Sequence, residues 1–448
     1  MPKLTITQGE KSTDILFDGR PVLSSVLQEH GFSIDMPCGG RGVCGKCRVE
    51  ASGSLSPLTA KESAAGTRLA CQTILLGDAQ VSLIAKQFME NIAASGERPL
   101  FVPDHLQGSF GVAVDIGTTT LAATLLDLTS GQVLATATAE NPQRSIAADV
   151  IGRIEGALAG KSDLLQSLMT QAINDLRIQI CAQADISPDT IDKEVITGNT
   201  TMLYLYTGKN PEPLSHSPFH ADCLFGQWSA SQAVHTYLPH CISAFIGADI
   251  TCAILASGIC RRDETALLVD IGTNGEIALW HEGNLYVCAT AAGPAFEGGG
   301  LEYGCGSIAG AIDHVWAQDG HLAFSTIASA EPVGICGSGI IDALEILIEL
   351  GQLDETGLLC QERVYLKGQI AITQRDVRNV QLAKSAIAAG ILTLCQSAGV
   401  KRDDVAVLYL AGGFGKYINL HKASTIGLIP QALISKTKVV GNASLIGA

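Results

Sequence analysis

The chain lacks any apolar run long enough to cross a bilayer as a helix. The best candidate, residues 380–400, is broken by Lys384 and Gln396, whereas a spanning helix needs about 20 consecutive apolar residues. Positive charge is also scarce. Lys and Arg number 29 against 44 Asp and Glu, a formal net charge of −15. That balance argues against nucleic acid, or an anionic membrane surface, as the main partner. No export signal is recognisable, because Met-Pro-Lys-Leu-Thr-Ile-Thr opens straight into a strand pattern. A cytoplasmic location is therefore expected. Ligand-type cysteine spacing is missing from most of the chain. Of 14 cysteines, those from Cys181 to Cys395 are scattered and read as small buried residues rather than disulfide or metal partners. What is plentiful is apolar material (47%) and glycine (48 residues) over 448 positions. This suits a globular chain of about three domains with ample cores.

The remaining four cysteines are patterned. Cys38, Cys44 and Cys47 stand at C-x5-C-x2-C spacing in the loop Met36-Pro-Cys-Gly-Gly-Arg-Gly-Val-Cys-Gly-Lys-Cys47, and Cys71 follows in Arg68-Leu-Ala-Cys-Gln-Thr73. Four thiolates are the usual ligand set of a 2Fe–2S cluster. Glycines let such a loop take unusual backbone angles and bring N–H groups near sulfur. Zinc also uses C-x2-C pairs; three cysteines in one glycine loop favour the cluster. The stretch resembles a 2Fe–2S ferredoxin, with one residue more in the first gap than the plant-type pattern.

Around this loop the periodicity predicts a hairpin over 3–7 and 13–18, a helix over 21–30 after Pro21, and strands over 46–52, 67–74 and 80–85, with a short helix after Ser56-Pro57. A mixed sheet with one helix across it is the ferredoxin β-grasp, expected for residues 1–85. Residues 86–109 lose periodicity and carry Gly96, Pro99, Pro103 and Gly108. They read as a linker with a short helix at 86–94.

The rest of the chain repeats a sentence. Gly111-Val-Ala-Val-Asp115-Ile-Gly117-Thr118-Thr119-Thr120 is an apolar strand, a glycine turn and a second strand; Leu267-Leu-Val-Asp270-Ile-Gly272-Thr273-Asn274-Gly-Glu276 repeats it. Backbone N–H groups and hydroxyls of such turns suit anionic phosphate oxygens, and each Asp suits Mg²⁺ held through water. Duplication implies two lobes, 110–262 and 263–448, that aim their turns at a shared cleft. The layout resembles the actin, heat-shock chaperone and sugar kinase (ASKHA) superfamily of RNase H-like lobes. There the two turns clasp the phosphates of ATP.

Further pieces follow in that superfamily's order. Gly198 and Asn199, in Val195-Ile-Thr-Gly-Asn-Thr-Thr-Met202, look like the connecting segment of the first lobe. Gly337 and Gly339, in Ile335-Cys-Gly-Ser-Gly-Ile-Ile-Asp342, look like its counterpart, or serve only close packing. Gly412, Gly413 and Phe414 match the adenosine-binding turn. Glu297, in the glycine-rich stretch 290–305, is placed to polarise an attacking water or bind Mg²⁺, or is purely structural.

An α/β multidomain chain that joins a 2Fe–2S ferredoxin to an actin-like ATPase resembles, from end to end, the reductive activators of corrinoid-dependent enzymes. The resemblance implies that ATP drives one electron from the cluster to an inactive Co(II) corrinoid protein of a methyltransferase system, restoring Co(I). It also implies an electron donor to the cluster and a homodimer. It assigns Asp115, Asp270 and Glu297 to catalysis and the turn residues to ATP. Family members run further after the last strand, 437–441, so a shortened second lobe is expected. Two other readings share part of these features: an ATP-dependent electron donor to another metalloenzyme, and a non-catalytic redox sensor.

Overall fold

The computed structural model describes residues 1–448 apart from 10, 33, 35, 37, 39, 43, 44, 66, 84–95, 97, 98, 100, 102–109, 230–233 and 414–417. The chain forms two compact units, residues 1–87 with 142–169, and residues 88–141 with 170–448. Among the described residues no helix is long and apolar enough to cross a membrane.

In the first unit, β1 (Lys3–Gln8) and β2 (Lys11–Leu16) make the hairpin, and α1 (Leu23–Glu29), β3 (Arg48–Leu55), α2 (Ala60–Ala65), β4 (Arg68–Leu69) and β5 (Leu75–Leu83) follow. The sheet order is β2-β1-β5-β3-β4, with β1 parallel to β5 and the other pairs antiparallel. Alternation in β1 turns Leu4 and Ile6 inward, and helical spacing in α1 brings Leu23, Val26 and Leu27 onto them. This is the expected β-grasp. The strand expected over 67–74 is a correction: only residues 68–69 pair, and Ala70–Thr73 turn. The amides of Gln72 and Thr73 both donate to the Leu69 carbonyl, at 2.8 and 3.0 Å. Residues 142–169, expected in the first lobe, group with this unit. There α3 (Val150–Gly156) starts at Asp149, whose side chain accepts from the Gly152 amide, and α4 (Ser162–Gln183) begins. Gln28 donates to the Ser145 carbonyl. The helix expected over 86–94 lies outside the described residues.

The second unit holds two sheets of one design. β6 (Phe110–Ile116), β7 (Thr120–Asp127), β8 (Val133–Glu140), β9 (Ile191–Gly198), β10 (Gln227–Ser229) and β11 (His235–Leu238), with helices α5 (Thr200–Thr207) and α6 (Ala248–Ser257), make the first lobe. Its sheet runs β10-β11-β9-β6-β7-β8. β12 (Ala266–Ile271), β13 (Gly275–His281) and β14 (Asn284–Thr290) then open the second lobe. An insertion supplies β15 (Ala311–Gln318), β16 (His321–Thr326) and β17 (Gly334–Ile335). Next come α7 (Gly337–Glu349), the hairpin β18 (Arg363–Lys367) and β19 (Ile370–Thr373), and α8 (Gln374–Ser397). β20 (Val407–Ala411), α9 (Leu420–Thr425), β21 (Thr437–Gly441) and α10 (Ala443–Gly447) complete it.

The second sheet runs β14-β13-β12-β20-β21. In each lobe an antiparallel meander is extended by parallel strands on the side of its first strand, β6–β9–β11 and β12–β20–β21. The central strands are near-continuous apolar runs because both faces are covered. In the second lobe, Leu267, Val269 and Ile271 meet Ile340, Leu344 and Leu347 of α7 and Val380, Ile387 and Ile391 of α8.

α5 and α7 start at strand ends, as the strand–glycine–helix reading of their sequences has it, and pack within their own lobes. α6 and α10 make the crossings between lobes. They pack so closely that a methyl group on Gly447 would stand 1.9 Å from the Cys252 carbonyl oxygen, and Leu445 of α10 buries against Ala113 and Ala122 of the first lobe. Within the stretch read as linker, Gly96 pairs antiparallel with Gly441.

Candidate functional site

Both duplicated turns close with the same kind of bond. The Gly117 amide donates to the Thr120 carbonyl at 3.1 Å, and the Gly272 amide donates to the Asn274 carbonyl at 3.1 Å. A methyl group on Gly117 would stand 2.5 Å from the Thr120 oxygen, so glycine is required there. The turns are not identical. Ile116 pairs with Leu121 but Ile271 pairs with Gly275, so the second turn is one residue shorter.

Side chains from both lobes converge between these turns. Thr119 Oγ1 donates to Glu297 Oε2 at 2.8 Å, and Thr273 Oγ1 donates to the same oxygen at 2.5 Å. Thr118 is buried and accepts from Asn199 Nδ2 at 3.1 Å. Asn199 also caps α5, accepting from the Met202 amide at 2.9 Å. Gly198 has φ +157, and a Cβ there would meet the Ile116 carbonyl oxygen at 2.8 Å.

The strand-end aspartates lie beneath. Asp115 accepts from Asn442 Nδ2 and from Ser444 Oγ, each at 2.9 Å; burial pushes its carboxyl up against those two donors. Asp270 is pushed up to about 8 by burial and by the charges of Asp249, Asp115 and Glu297. Asp249, in the first turn of α6, is pushed up to about 7 by burial and by Asp115. Glu276, opposite Asp270 in the β12–β13 ladder, is held well above the usual carboxylate range by burial, then by Asp249 and Asp270. Carboxylates that raise one another in this way suit a cation. Among the described residues no three such side chains converge as a direct metal-ligand set.

Gly412 follows β20 with φ +104, and a methyl group there would stand 2.4 Å from the Ile271 oxygen and 3.1 Å from Asp270 Oδ1. Gly413 continues this turn; Phe414 lies outside the described residues. Gly337 opens α7, and its missing side chain makes room for the Phe296 carbonyl, which would lie 1.8 Å from a Cβ. Gly339 likewise admits the Ile312 carbonyl, at 2.2 Å. The packing reading of these two glycines therefore has a concrete basis.

Sequence reasoning missed Asp249, Glu276, Asn442 and Ser444. The signal for Asp249 is Gly247-Ala-Asp249 opening an apolar helix: a methyl group on Gly247 would stand 2.4 Å from Asn199 Cα, so the helix start is driven into the site.

In the first unit, Cys38 and Cys47 are buried and Cys71 is half-buried. Cys47 Sγ and Cys71 Sγ stand 3.2 Å apart, brought together by the turn after β4. Burial pushes the Cys47 thiol up to about 12, with Cys71 and Cys38 adding to the rise. Two thiol sulfurs held this close, with Cys38 buried in the same unit, are a donor set that fits a metal cluster, which would hold them as thiolates. Cys44 lies outside the described residues.

Three family models match in series: the 2Fe-2S iron-sulfur cluster binding domain over residues 7–76, the RACo middle region over 110–262, and the C-terminal, ASKHA domain of RACo over 264–448. The corrinoid activation enzyme RamQ of Eubacterium limosum is 33% identical over 400 residues, 80% of this chain and 67% of that protein. The [Co(II) methylated amine-specific corrinoid protein] reductase of Methanosarcina barkeri is 27% identical over 377 residues, 75% of this chain and 68% of that one. A solved reductive activator for corrinoid,iron-sulfur protein superposes with TM-score 0.69 at 27% identity, covering 99% of this chain and 91% of the other. The chain belongs to the RACo family of corrinoid reductive activators, a 2Fe–2S domain followed by a two-lobed ASKHA domain.

Proposed function

We propose that this chain is an ATP-dependent reductive activator that passes one electron from its 2Fe–2S cluster to the Co(II) form of a corrinoid protein, restoring Co(I) for methyl transfer. The observation that carries the nucleotide half is the convergence of Thr119 and Thr273, one from each lobe, on a single anionic oxygen. Two hydroxyl donors so placed suit a phosphate oxygen equally well. Gly117, Thr118, Thr120, Gly198, Asn199, Gly272 and Asn274 shape the phosphate cradle. Gly412 and Gly413 form the side facing the adenosine, Phe414 is assigned to the same adenosine-binding motif, and Gly337 sets the start of α7. Asp115 and Asp270 hold hydrated Mg²⁺, which supplies charge neutralisation when bound. Asp249, pushed up to about 7 by burial and by Asp115, adds a further carboxyl beside this pair. Cys38, Cys44, Cys47 and Cys71 hold the cluster, which supplies a one-electron carrier near about −400 mV when bound. Each 59 mV of uphill transfer costs about 1.4 kcal/mol, which gives ATP its purpose.

The protein works in the cytoplasm as a homodimer and receives electrons from a separate donor; along the sequence its segments are 1–85, 86–109, 110–262 and 263–448, with 142–169 packing with the first unit. Anaerobic mixing of Co(II) corrinoid protein, reductant and this protein, with and without MgATP, tests the proposal. The Co(I) absorption band should appear only with MgATP; equal yields in both arms would remove ATP from the mechanism.

A further inference from the structure

We infer that Glu297 is a resident stand-in for the terminal phosphoryl group of the nucleotide, latching the two lobes together until that group replaces it. The inference rests on the nucleotide reading above. Glu297 Oε2 accepts from Thr119 at 2.8 Å and from Thr273 at 2.5 Å, and the two hydroxyl oxygens are themselves 3.4 Å apart. The carboxylate thus uses, with one oxygen, the donors that both duplicated turns offer to an anion. Its other oxygen lies over Gly272, 3.6 Å from where a Cβ would stand.

A terminal phosphoryl group reaching these hydroxyls cannot share them with a carboxylate. Both are anions, and each hydroxyl has one hydrogen to donate. One must leave. The loop backbone is poorly placed to move, because the Phe296 carbonyl fills the gap over Gly337, and Gly298 fits tightly against Cys305, 2.1 Å from a Cβ to its carbonyl oxygen. The Glu297 side chain, with three rotatable bonds, is free of that constraint and swings out. A nucleoside diphosphate has no group to send there, so it leaves the latch closed. The contact between lobes then changes hands only with a triphosphate, which makes Glu297 the residue that tells the two nucleotides apart.

Calorimetric titration of the full chain with MgADP and with the non-hydrolysable analogue MgAMPPNP tests this. Removing the competitor in Glu297→Ala should tighten AMPPNP about tenfold and leave ADP within about twofold, with Glu297→Gln between. Weaker AMPPNP binding in the alanine variant, or equal changes for both nucleotides, would overturn the latch. If the alanine variant does not fold, Glu297→Gln decides. It should tighten AMPPNP severalfold and leave ADP within about twofold, and equal changes for both nucleotides would overturn the inference. Wild-type protein that binds neither nucleotide would bring down the underlying reading and the latch with it. Binding of both without the expected selectivity brings down the latch alone.

Discussion

Asp115 is steadied by two side chains that arrive 327 and 329 positions later in the chain. Losing either donor leaves a buried carboxylate oxygen without its partner, a loss of ~1–3 kcal/mol. Asn442→Ala should therefore lower the unfolding free energy by about that amount in a urea titration, and an unchanged midpoint would count against it. Lys422 is a second such case. Its Nζ donates to the Val315 carbonyl at 2.7 Å and lies 3.4 Å from Oδ2 of the buried Asp342. Lys422→Met leaves that carboxylate with His314 Nδ1 at 3.2 Å and the Val315 amide at 3.3 Å, so it should cost ~1–3 kcal/mol, partly recovered when Asp342→Asn is added; a double variant no better than the single one would refute the pairing.

The carboxyl cluster fixes a pH response. Asp270 and Asp249 are raised to about 8 and about 7, above their unfolded values of about 3.9. Between those limits the folded protein binds more protons than the unfolded chain, so this cluster's contribution to stability falls as pH climbs from about 4 to about 8 and then levels off. Metal-free protein should melt lower at pH 8.5 than at pH 6. Asp270→Asn, or added Mg²⁺, should narrow the gap; an identical gap in the variant would separate the effect from this group. Of these residues, Asp115 and Asp270 were legible because each ends an apolar strand before a glycine turn. Asn442 and Ser444 were not, since nothing local marks a residue whose work lies hundreds of positions away.

At the scale of elements, the glycines of the second lobe separate into two kinds. Gly337 has the Phe296 carbonyl where a side chain would go, while nothing lies within 4 Å of the Cβ position of Gly306. Gly337→Ala must displace α7 or the loop bearing Glu297 and should destabilise by ~1–3 kcal/mol. Gly306→Ala should stay within about 0.5 kcal/mol, and equal losses in thermal melts would void the distinction. The duplicated strand–turn–strand units were readable because period-2 patterning and a glycine turn are local signals. The strand expected over 67–74 failed for a physical reason. Apolar residues there look extended, but the chain must coil after Leu69 to carry Cys71 next to Cys47, and thiol placement outranks propensity. The crossing helix α6 was not legible, because it is recognised by what it touches and not by its composition.

For the molecule as a whole, the two chemistries rest on separate frameworks. The cysteines sit in a β-grasp with its own core, and the turns sit between the sheets of the larger unit. Cys71→Ser should abolish the visible absorption and iron content of the reconstituted protein while leaving MgADP binding within about twofold. A parallel loss of nucleotide affinity would show that the cluster ligands also support the cleft.

The duplication that built the larger unit is imperfect at the turns themselves: the second is a residue shorter than the first. A perfect copy would give the cleft a two-fold axis, and a polyphosphate could then lie in it head-first or tail-first with equal ease. The missing residue is one of the differences that break that degeneracy and give the groove a direction.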